Sequence, residues 1–327
     1  MTDSRGWQPS LAQLRALVAV TQAGSFSQAA ATLGVTQSGL SHAVVSLEAG
    51  LGCSLLTRTR RGVTVTAAGE RVVGRAREIL ALVETLPAEV ATPGEVTGTV
   101  RLVCFRSVAT HLLPIVLHHL SAEHPRVHVE VDDGCLEREE VERAVLSGKA
   151  DLGIAQLPVH GHLQVWPLAS DPYVLVVPQG MKAPTGPVWE ALAELPYIEL
   201  QCSGALSVVE ACVHAGFHHR PAMRLREDSS ILALVARGAG FSILPRLAVE
   251  PVPAGVAIWP LGLEQRRELG VVVLPGVGRR PAVRALRQLL RSQIGLTPGV
   301  VQGLLQARGG QPEPASSLLQ SSTVPGA

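Results

Sequence analysis

Several features that would assign this chain to a particular class of protein are missing from its sequence. No apolar run approaches the ~20 residues that span a bilayer, and the amino terminus lacks the charged-then-apolar layout of a secretion signal. The five cysteines are an odd number without the spacing of a disulfide framework. Reduced thiols and a cytoplasmic protein without a membrane partner are therefore expected.

Catalytic signatures are missing as well. No glycine-rich phosphate loop, nucleophile elbow or His-Glu zinc motif stands at a strand-to-helix turn. An α/β enzyme is the rival from another class, but we expect no catalytic residues and no cofactor. The formal net charge of +1 argues against a diffuse polycation and for local basic patches. With 46% hydrophobic residues among 327, the chain can build more than one core.

The segment SFSQAAATLGVTQSGLSHAVVSLEAGLG predicts two short amphipathic helices joined by a turn. Leu40, Val44 and Leu47 recur at i, i+4 and i+7, which predicts one buried face. Gly34 suits the left-handed position that ends the first helix, and Thr36 suits the N-cap of the second. The pattern is that of a helix-turn-helix, although similar Ala-rich pairs also occur in proteins that do not bind DNA.

The opposite face of the second helix carries short polar groups. In a helix-turn-helix the second helix enters the major groove, where such groups meet base edges and a valine lies against a thymine methyl. Downstream, RTRRGVTV predicts a basic hairpin wing on the DNA backbone or minor groove. An ordinary solvated face is the alternative. The candidate DNA-contacting residues are Thr36, Gln37, Ser38, Ser41, His42 and Val45 of the helix and Arg58, Arg60 and Arg61 of the wing.

A longer helix, capped by Thr66, is predicted after the wing. Its apolar positions recur at alternating steps of four and three, a heptad pattern typical of a helix that pairs with its copy in a second subunit. Packing on its own domain is the alternative. The positions of this stripe are Val72, Ala76, Ile79, Val83 and Leu86.

Strands and helices alternate from Thr99 onward, which predicts parallel sheets. The run DPYVLVVP predicts a strand that crosses into a second lobe, and ELGVVVLPG with AVRALRQLLRSQI predicts the return. The end of the chain is rich in Gly, Pro, Ser and Gln and is predicted to be disordered. The predicted domains are a winged helix-turn-helix at 10–65, a linker and dimerisation helix at 66–92, and a two-lobed domain at 97–294. Lobe I is predicted at 97–168 and 267–294, lobe II at 169–266, and the tail at 297–327.

The amino-terminal segment resembles the DNA-binding domain of LysR-type transcriptional regulators. The resemblance is carried by GSFSQAA, TQSGLSHAV, SLEAGLG and LLTRTRRGVTVTAAG, with Leu56 where the family usually has Phe. The later alternation resembles the family's effector-binding domain, itself similar to periplasmic binding proteins. The resemblance implies a winged helix-turn-helix, mainly α, plus a linker helix and a two-lobed α/β effector-binding domain. It also implies a homodimer or homotetramer that binds double-stranded promoter DNA and an unidentified small-molecule effector, with RNA polymerase as a further candidate partner.

Ligands of such sheets bind at the carboxyl ends of strands, where helix N-termini present N–H groups. For any single polar residue there, a helix cap is the more common role, and the prediction rests on their convergence on one cleft. Arg106 suits a carboxylate ligand, or else lies exposed on the rim. The candidate effector-binding residues are Arg106, Ser107, Cys135, Gln156, Ser203, Gly204, Asp228 and Ser229.

Two sharper alternatives concern lobe II. Cys202 and Cys212 lie in a region that resembles the one where peroxide-sensing members of the family hold their redox pair, although the spacing differs and a buried helical cysteine is commonly inert. A histidine cluster near Cys212 suggests a metal, but Gly216 is expected to end the helix within it and break the i, i+4 geometry. We therefore predict no metal site. The histidines are His214, His218 and His219.

Overall fold

The structure is a computed structural model that describes residues 7–59, 62–84, 86, 96–185 and 188–294. The wing turn with Arg60 and Arg61, most of the segment after the linker helix, and the predicted tail lie outside the described residues. Within the described ranges, no helix combines the length and the apolar character that a bilayer crossing requires.

The amino-terminal module contains three helices and a hairpin. The elements are α1 (Leu11–Ala23), α2 (Phe26–Leu33), α3 (Gln37–Leu51), β1 (Leu56–Thr59) and β2 (Gly62–Val65). The glycines after α1 and α2 end their helices in the left-handed conformation, which places α2 and α3 across a tight turn. Gly62 allows the hairpin to lie close to α1, because a Cβ there would stand 2.6 Å from the carbonyl oxygen of Gly24. The predicted helix-turn-helix is therefore present.

The linker helix α4 (Ala67–Val83) has three different surroundings around its circumference. Val73 and Ala76 pack against the amino-terminal module, whereas Ala81 belongs to the core of the following domain. Ile79 is 41% exposed and Leu86 is 60% exposed. The predicted seam is therefore wrong at Ala76, which is buried within its own subunit. A heptad spacing shows that a face is covered, but it does not show by which neighbour.

The remaining elements form two lobes. In chain order they are β3 (Thr97–Phe105), α5 (Arg106–His111), α6 (Leu113–Glu123), β4 (Arg126–Cys135), α7 (Arg138–Leu146), β5 (Leu152–Gln156), β6 (Gln164–Pro178), α8 (Val188–Ala191), β7 (Tyr197–Leu200), α9 (Ser203–His214), β8 (Pro221–Leu225), α10 (Asp228–Val235), β9 (Ser242–Pro245), β10 (Val256–Pro260), β11 (Arg266–Val273) and α11 (Pro281–Gln293). The sequence analysis predicts most of these elements, but not β10, α5 or α8.

Strand β6 spans both lobes, and β11 returns beside it. Lobe I has the strand order β4-β3-β5-β11-β6, in which β3 is parallel to β4 and β5. In lobe II the second half of β6 pairs with β9 and β10, and the parallel pair β7 and β8 joins through a hydrogen bond from the Ile198 N–H to the Phe241 carbonyl, 2.9 Å. The prediction of parallel sheets is wrong for β6, β9, β10 and β11. A strand that returns from lobe II must run against β5, so the sheet is mixed.

Candidate functional site: recognition helix and interlobe cleft

Helix α3 presents one apolar and one polar face, and the apolar face is the predicted one. Leu40, Val44 and Leu47 are at most 3% exposed and pack on α1, α2 and the wing. The Thr36 hydroxyl accepts a hydrogen bond from the Gly39 N–H at 3.1 Å, which caps the first turn. Helix α3 is thus held by its apolar face and capped at its amino terminus, and its polar face points outward.

The polar face of α3 is open at its amino-terminal half. Gln37, Ser38, His42 and Val45 are exposed. The Gln37 amide oxygen accepts from the Ser27 hydroxyl of α2 at 3.1 Å, so the first side chain of the face is oriented by the preceding helix. The structure therefore places the predicted helix residues on one accessible surface.

The described wing arginine lies against this helix. Arg58 donates from Nη2 to the Ser41 hydroxyl at 3.0 Å, and its guanidinium carbon stands 4.8 Å from the ring centre of Phe26. Ser41 is half-buried by this contact. Glu48, which the sequence analysis does not single out, accepts from the N–H groups of Leu55 and Leu56 at 2.7 and 3.0 Å and fixes the start of the wing. Wing and helix thus form one continuous surface.

The second candidate site lies where β6 and β11 cross between the lobes. Arg267 of β11 stands directly opposite Asp171 of β6, with Nε 2.8 Å from the carboxylate oxygen, and both side chains are buried. The other Asp171 oxygen accepts from the Leu247 N–H at 2.9 Å, and Arg267 Nη2 donates to the Ser107 hydroxyl at 2.8 Å. This network joins lobe I, both crossing strands and lobe II at one point.

The charge of Arg267 is balanced within the site. Burial lowers its pKa, but the Asp171 carboxylate more than offsets this, so the pKa of Arg267 lies above its ordinary value. The guanidinium also lies 5.7 Å from the ring centre of Phe105. Ser107 accepts from Arg267 through its hydroxyl oxygen, and Asp171 supplies the negative charge that Arg267 requires. The hydroxyl hydrogen of Ser107 is therefore available to a further acceptor.

Seven of the eight predicted effector residues line two small neighbouring cavities, and Arg267 belongs to the wall of both. One, of about 60 Å³, includes Arg106, Ser107, Cys135 and Asp228 in its wall, and the other, of about 40 Å³, includes Gln156, Ser203 and Gly204. Phe105, Leu136, Leu200, Cys202, Pro245 and Arg267 belong to both walls. Ser229 lies outside both walls, in the first turn of α10, where its N–H donates to Asp228 Oδ1 at 2.7 Å.

The structure gives three of these positions specific local settings. Cys135, predicted to lead a helix, is instead the last residue of β4, whereas Ser107 follows the first strand as predicted and lies in the short helix α5. Arg106, for which a carboxylate ligand and an exposed rim position were the alternatives, is exposed, paired with Glu227 of lobe II and 3.9 Å from Asp133. Its counter-charges come from the protein itself, because the lobes are closed on each other.

A second contact crosses the cleft beside the first. Glu137, which precedes α7 in lobe I, accepts from the Ser203 N–H of lobe II at 3.0 and 3.2 Å and also from the Ser203 hydroxyl. An internal carboxylate thus satisfies the first N–H of α9, the group that was predicted to bind ligand. Separation of the lobes requires both this contact and the Arg106–Glu227 pair to break.

The two cysteines of the redox hypothesis lie at opposite ends of one helix. Cys202 is the N-cap residue of α9 in the cleft wall, whereas Cys212 is completely buried near the other end. Ten residues of helix separate their Cα atoms by roughly 15 Å, more than twice the ~7 Å limit of a disulfide. Burial raises the pKa of Cys202, and it raises the pKa of Cys212 to about 11, so neither thiol is activated by its surroundings.

Two of the three histidines near Cys212 are engaged by backbone carbonyls. The His214 ring lies 2.8 Å from the Glu210 oxygen, and the His219 ring lies 3.0 Å from the Leu192 oxygen and stacks on Phe217. Gly216 follows the end of α9 with a φ of 93°. Over the described part of the chain, no three His, Cys, Asp or Glu side chains are grouped as metal ligands.

The sequence analysis misses the residues at the centre of the cleft. Asp171 and Arg267 are 96 positions apart, and each looks like the polar end of an apolar strand. The available signal is that Asp171 begins the run DPYVLVVP and Arg267 immediately precedes the run ELGVVVLPG, so a charge on each stands at the point where the lobes meet. Glu137 and Tyr173, which also line the cleft, carry no comparable signal.

Comparison with known proteins gives a consistent result for both domains. Residues 11–70 match the family described as bacterial regulatory helix-turn-helix protein, lysR family, and residues 93–295 match the LysR substrate binding domain. A probable HTH-type transcriptional regulator LrrA from Synechococcus elongatus is 34% identical over 86% of this chain and 96% of its own length. A probable hydrogen peroxide-inducible genes activator from Streptomyces viridosporus is 36% identical over 74% of this chain and 80% of its own length.

Solved structures show the same fold. A full-length OxyR variant from Pseudomonas aeruginosa superposes with a TM-score of 0.69 at 22% identity, covering 87% of this chain and 98% of the other. HinK, a LysR family transcriptional regulator from the same species, has a TM-score of 0.55 at 22% identity, with 88% and 100% covered. The predicted fold class, a winged helix-turn-helix with a linker helix and a two-lobed α/β domain, is confirmed. On both domains and on its relatives, this chain belongs to the LysR family of transcriptional regulators.

Proposed function

We propose that this protein controls transcription in response to a small polar molecule that binds in the interlobe cleft. The observation that supports this most strongly is the placement of two distant surfaces in one chain. Gln37, Ser38, His42 and Val45 are exposed on α3, and seven predicted residues converge on the buried Arg267. The first surface suits base edges, and the second suits a ligand with hydrogen-bond acceptors.

The DNA contacts divide by chemistry. In a helix that enters the major groove by its amino end, Gln37, Ser38 and His42 meet base edges and Val45 meets a thymine methyl. Ser41 and Arg58, already bonded to each other, suit a phosphate at the edge of the groove. Thr36 contributes to the surface indirectly, because its hydroxyl caps the first turn of α3. Arg60 and Arg61 extend the same basic wing by their position in the sequence, and they complete the proposed set.

The chemistry of the cleft favours a small acceptor. Ser107 uses its oxygen to accept from Arg267 and keeps its hydrogen to donate, while the Ser203 N–H is held by a carboxylate that a ligand can replace. The two cavities are small, about 60 and 40 Å³, so each has room for only a few waters. A ligand of several heavy atoms therefore enters only when the lobes part, and its differential affinity for the two arrangements is the signal.

A DNA-binding titration tests this function. The purified protein is titrated against the DNA upstream of its own gene, with a scrambled duplex of the same composition as control, over a range of salt concentrations. Specific binding with a steep salt dependence supports the proposal, because phosphate contacts release counter-ions. Equal affinity for both duplexes overturns it.

A ligand screen tests the cleft. Thermal unfolding is followed in the presence of small mono- and dicarboxylates, with uncharged amides of the same size as controls. Stabilisation by a carboxylate that is abolished in Ser107→Ala and retained in Ser229→Ala supports binding at the cleft, since only Ser107 lines it. Stabilisation that both variants retain places the ligand elsewhere and contradicts this part of the proposal.

Thiol-based sensing is the second candidate, because relatives are named peroxide-inducible activators and Cys202 lies in the cleft wall. A Cys202–Cys212 disulfide requires α9 to unwind. Mild peroxide followed by reduction, with DNA affinity and thiol mass as readouts, distinguishes the candidates. A reversible change that Cys202→Ser abolishes and Cys53→Ser retains supports sensing, since Cys53 is an exposed thiol outside the lobes. Unchanged affinity favours a small-molecule effector.

The proposal also covers the oligomeric state, a further protein partner and the cellular compartment. The exposed Ile79 on α4 and the exposed Leu86 beyond the end of that helix suit contact with a second subunit, and a dimer of dimers brings paired winged helices to a pseudo-palindromic promoter. RNA polymerase is the further partner expected of a regulator bound there, and the cytoplasm is the compartment in which it works. We retain the domain boundaries 10–65, 66–92 and 97–294, with the lobes divided at 168/169 and 266/267.

A further inference from the structure

Helix α7 touches the cleft with one end and the DNA-binding part of the chain with the other. Its amino end begins directly after Glu137, the residue that bonds to Ser203 of lobe II. Its last carbonyls, those of Leu146, Ser147 and Gly148, face α1 and the linker helix α4. With nine residues at 1.5 Å each, about 12 Å separates the two ends.

The contacts at the carboxyl end form what we call the α7 joint. Arg77 of α4 donates from Nη1 to the Leu146 carbonyl, and Gln22 of α1 donates to the carbonyls of Ser147 and Gly148 at 3.2 and 3.3 Å. A cation at a helix carboxyl terminus interacts favourably with the helix dipole. The joint therefore ties both the winged module and the linker helix to lobe I through one helix.

The α7 joint contains a buried cation whose hydrogen bonds are incomplete. Nε and Nη2 of Arg77 are buried and have no hydrogen-bond partner among the described residues. Burial also lowers the pKa of Arg77 to about 10, the sign of a cation whose desolvation is not fully compensated. Glu78 is 2.7 Å from Arg75, and Glu139 and Glu142 contact Arg138, so these nearby carboxylates are already engaged. An under-satisfied contact of this kind breaks at low free-energy cost.

The middle of α7 packs closely against strand β5 of lobe I. Val141 and Val145 are fully buried, and they pack so tightly over Gly153 of β5 that a Cβ there would stand 2.7 and 2.9 Å from their methyl groups. A short helix packed on the flat surface of a strand moves as a unit, by small shear displacements of the kind seen between packed elements. A displacement at Glu137 then reaches the Leu146 carbonyl.

We propose that α7 couples the cleft to the winged helix-turn-helix, so that displacing Glu137 from Ser203 loosens the contacts of Arg77 and Gln22 at the other end. The inference rests on the proposed function, in which the cleft is the effector site. A ligand whose acceptor takes the Ser203 N–H releases Glu137, and α7 transmits the release to the module that reads DNA. The coupling is reciprocal, since a change at the joint alters the hold on Ser203 by the same factor.

Hydrogen exchange of the free full-length protein tests the coupling. In Glu137→Gln, the amides of Ser147, Gly148 and Ala150, which close the last turn of α7, should exchange about tenfold faster. Glu139→Gln is the matched control, because it removes the same charge from the same helix end without touching lobe II, and it should leave these amides unchanged. Acceleration confined to Ser203 and the start of α7 overturns the proposal.

The reverse experiment starts at the joint. Arg77→Met should accelerate exchange at the Ser203 amide by a factor similar to that seen in the forward direction, and unchanged exchange there overturns the coupling. Should Arg77→Met fail to fold, Gln22→Ala removes an exposed contact of the same joint and carries the same expectation. Neither measurement uses DNA or a ligand. Reciprocal exchange in a protein without specific DNA binding would support the coupling and overturn only the proposed function.

Discussion

The recognition helix and the interlobe cleft place their polar residues in opposite surroundings. On α3, Ser38 and His42 are exposed and contribute little to the fold, so they are available to a partner. In the cleft, Arg267 and Asp171 are buried and bonded to each other, to the Ser107 hydroxyl and to the Leu247 N–H. Under the proposed function, the first surface would separate recognition from stability, whereas the second would make ligand response and stability depend on the same side chains.

The largest expected effect comes from breaking the buried pair. Arg267→Met should lower the free energy of unfolding by about 3–5 kcal/mol, because it leaves the Asp171 carboxylate buried without its counter-ion. Urea denaturation monitored by circular dichroism measures the loss. The double variant Arg267→Met/Asp171→Leu should recover a substantial part of it. A single variant within 1 kcal/mol of the parent, a threshold of about the size of a surface effect, would show that the cleft is not organised by this pair.

The second prediction concerns recognition without a stability cost. Ser38→Ala combined with His42→Ala should lower the preference for specific over scrambled DNA by about 30-fold or more, since two base contacts at about 1–3 kcal/mol each amount to at least about 2 kcal/mol. The free energy of unfolding should change by less than about 0.5 kcal/mol, because both side chains are exposed. Fluorescence anisotropy and urea denaturation measure the two quantities.

Arg58→Gln provides the contrast to the double variant. It should weaken binding to both duplexes and reduce the salt slope by about one counter-ion, as expected of a phosphate contact. Full specificity in the Ser38/His42 double variant would mean that another face of α3 meets the bases.

Acid should act on a buried carboxylate of lobe I that belongs to neither region. Asp151 of lobe I accepts from Arg101 at 2.9 and 3.2 Å and from Arg280 at 2.8 Å. Burial raises the pKa of Asp151, but the hydrogen bonds from Arg101 and the charge of Arg280 outweigh it, so the net shift is downward. The stabilisation is therefore present above the unfolded pKa of about 4 and disappears as the pH falls through the lowered folded value.

Asp151→Asn should cost about 1.5–3 kcal/mol at neutral pH, and the difference from the parent protein should shrink as the pH falls below about 4. Stability measured by urea titration from pH 3 to 7 tests this. Glu84→Gln is the control, because Glu84 is exposed and lies 3.5 Å from the same Arg280. It should cost less than about 1 kcal/mol at any pH. A constant deficit in Asp151→Asn would assign its effect to packing instead of charge.

The smallest effect separates two equivalent caps. Thr36 and Thr66 accept from the N–H three residues later at 3.1 and 3.0 Å, and Thr→Ala at either position should cost about 1 kcal/mol. Only Thr36→Ala should also weaken specific DNA binding, since its cap orients the first turn of α3, while Thr36→Ser should restore both properties. Equal DNA affinity in the two Thr→Ala variants would show that the Thr36 cap does not contribute to DNA recognition.

Much of the amino-terminal module could be predicted because its determinants are local. Gly34, Thr36 and the Leu40, Val44 and Leu47 stripe act within one or two helical turns, and each has the predicted role. The linker helix shows where this logic stops. Ala76 and Ile79 fit the same heptad, yet one is buried against the module and the other is exposed, because neighbours distant in sequence cover only part of the circumference.

The cleft shows the same limit for polar residues. Strand ends and helix starts identified Ser107, Gln156 and Ser203, since these positions follow from the order of elements. The groups that hold the cleft together were not identifiable in the same way. Glu137 and Ser203 are 66 residues apart, and Arg106 and Glu227 are 121 apart.

The helix-turn-helix, its polar face and the alternation of strands and helices could be predicted from the sequence alone, because periodicity and caps act over a few residues, and the motifs of the amino-terminal segment indicated the family by resemblance. The packed structure was needed to show that the returning strand β11 runs antiparallel to β5, that Arg267 meets Asp171, and that α7 lies between the cleft and Arg77. These contacts depend on how two lobes and a separate module pack together. A charged residue has the same appearance in the sequence whether solvent or a buried partner satisfies it.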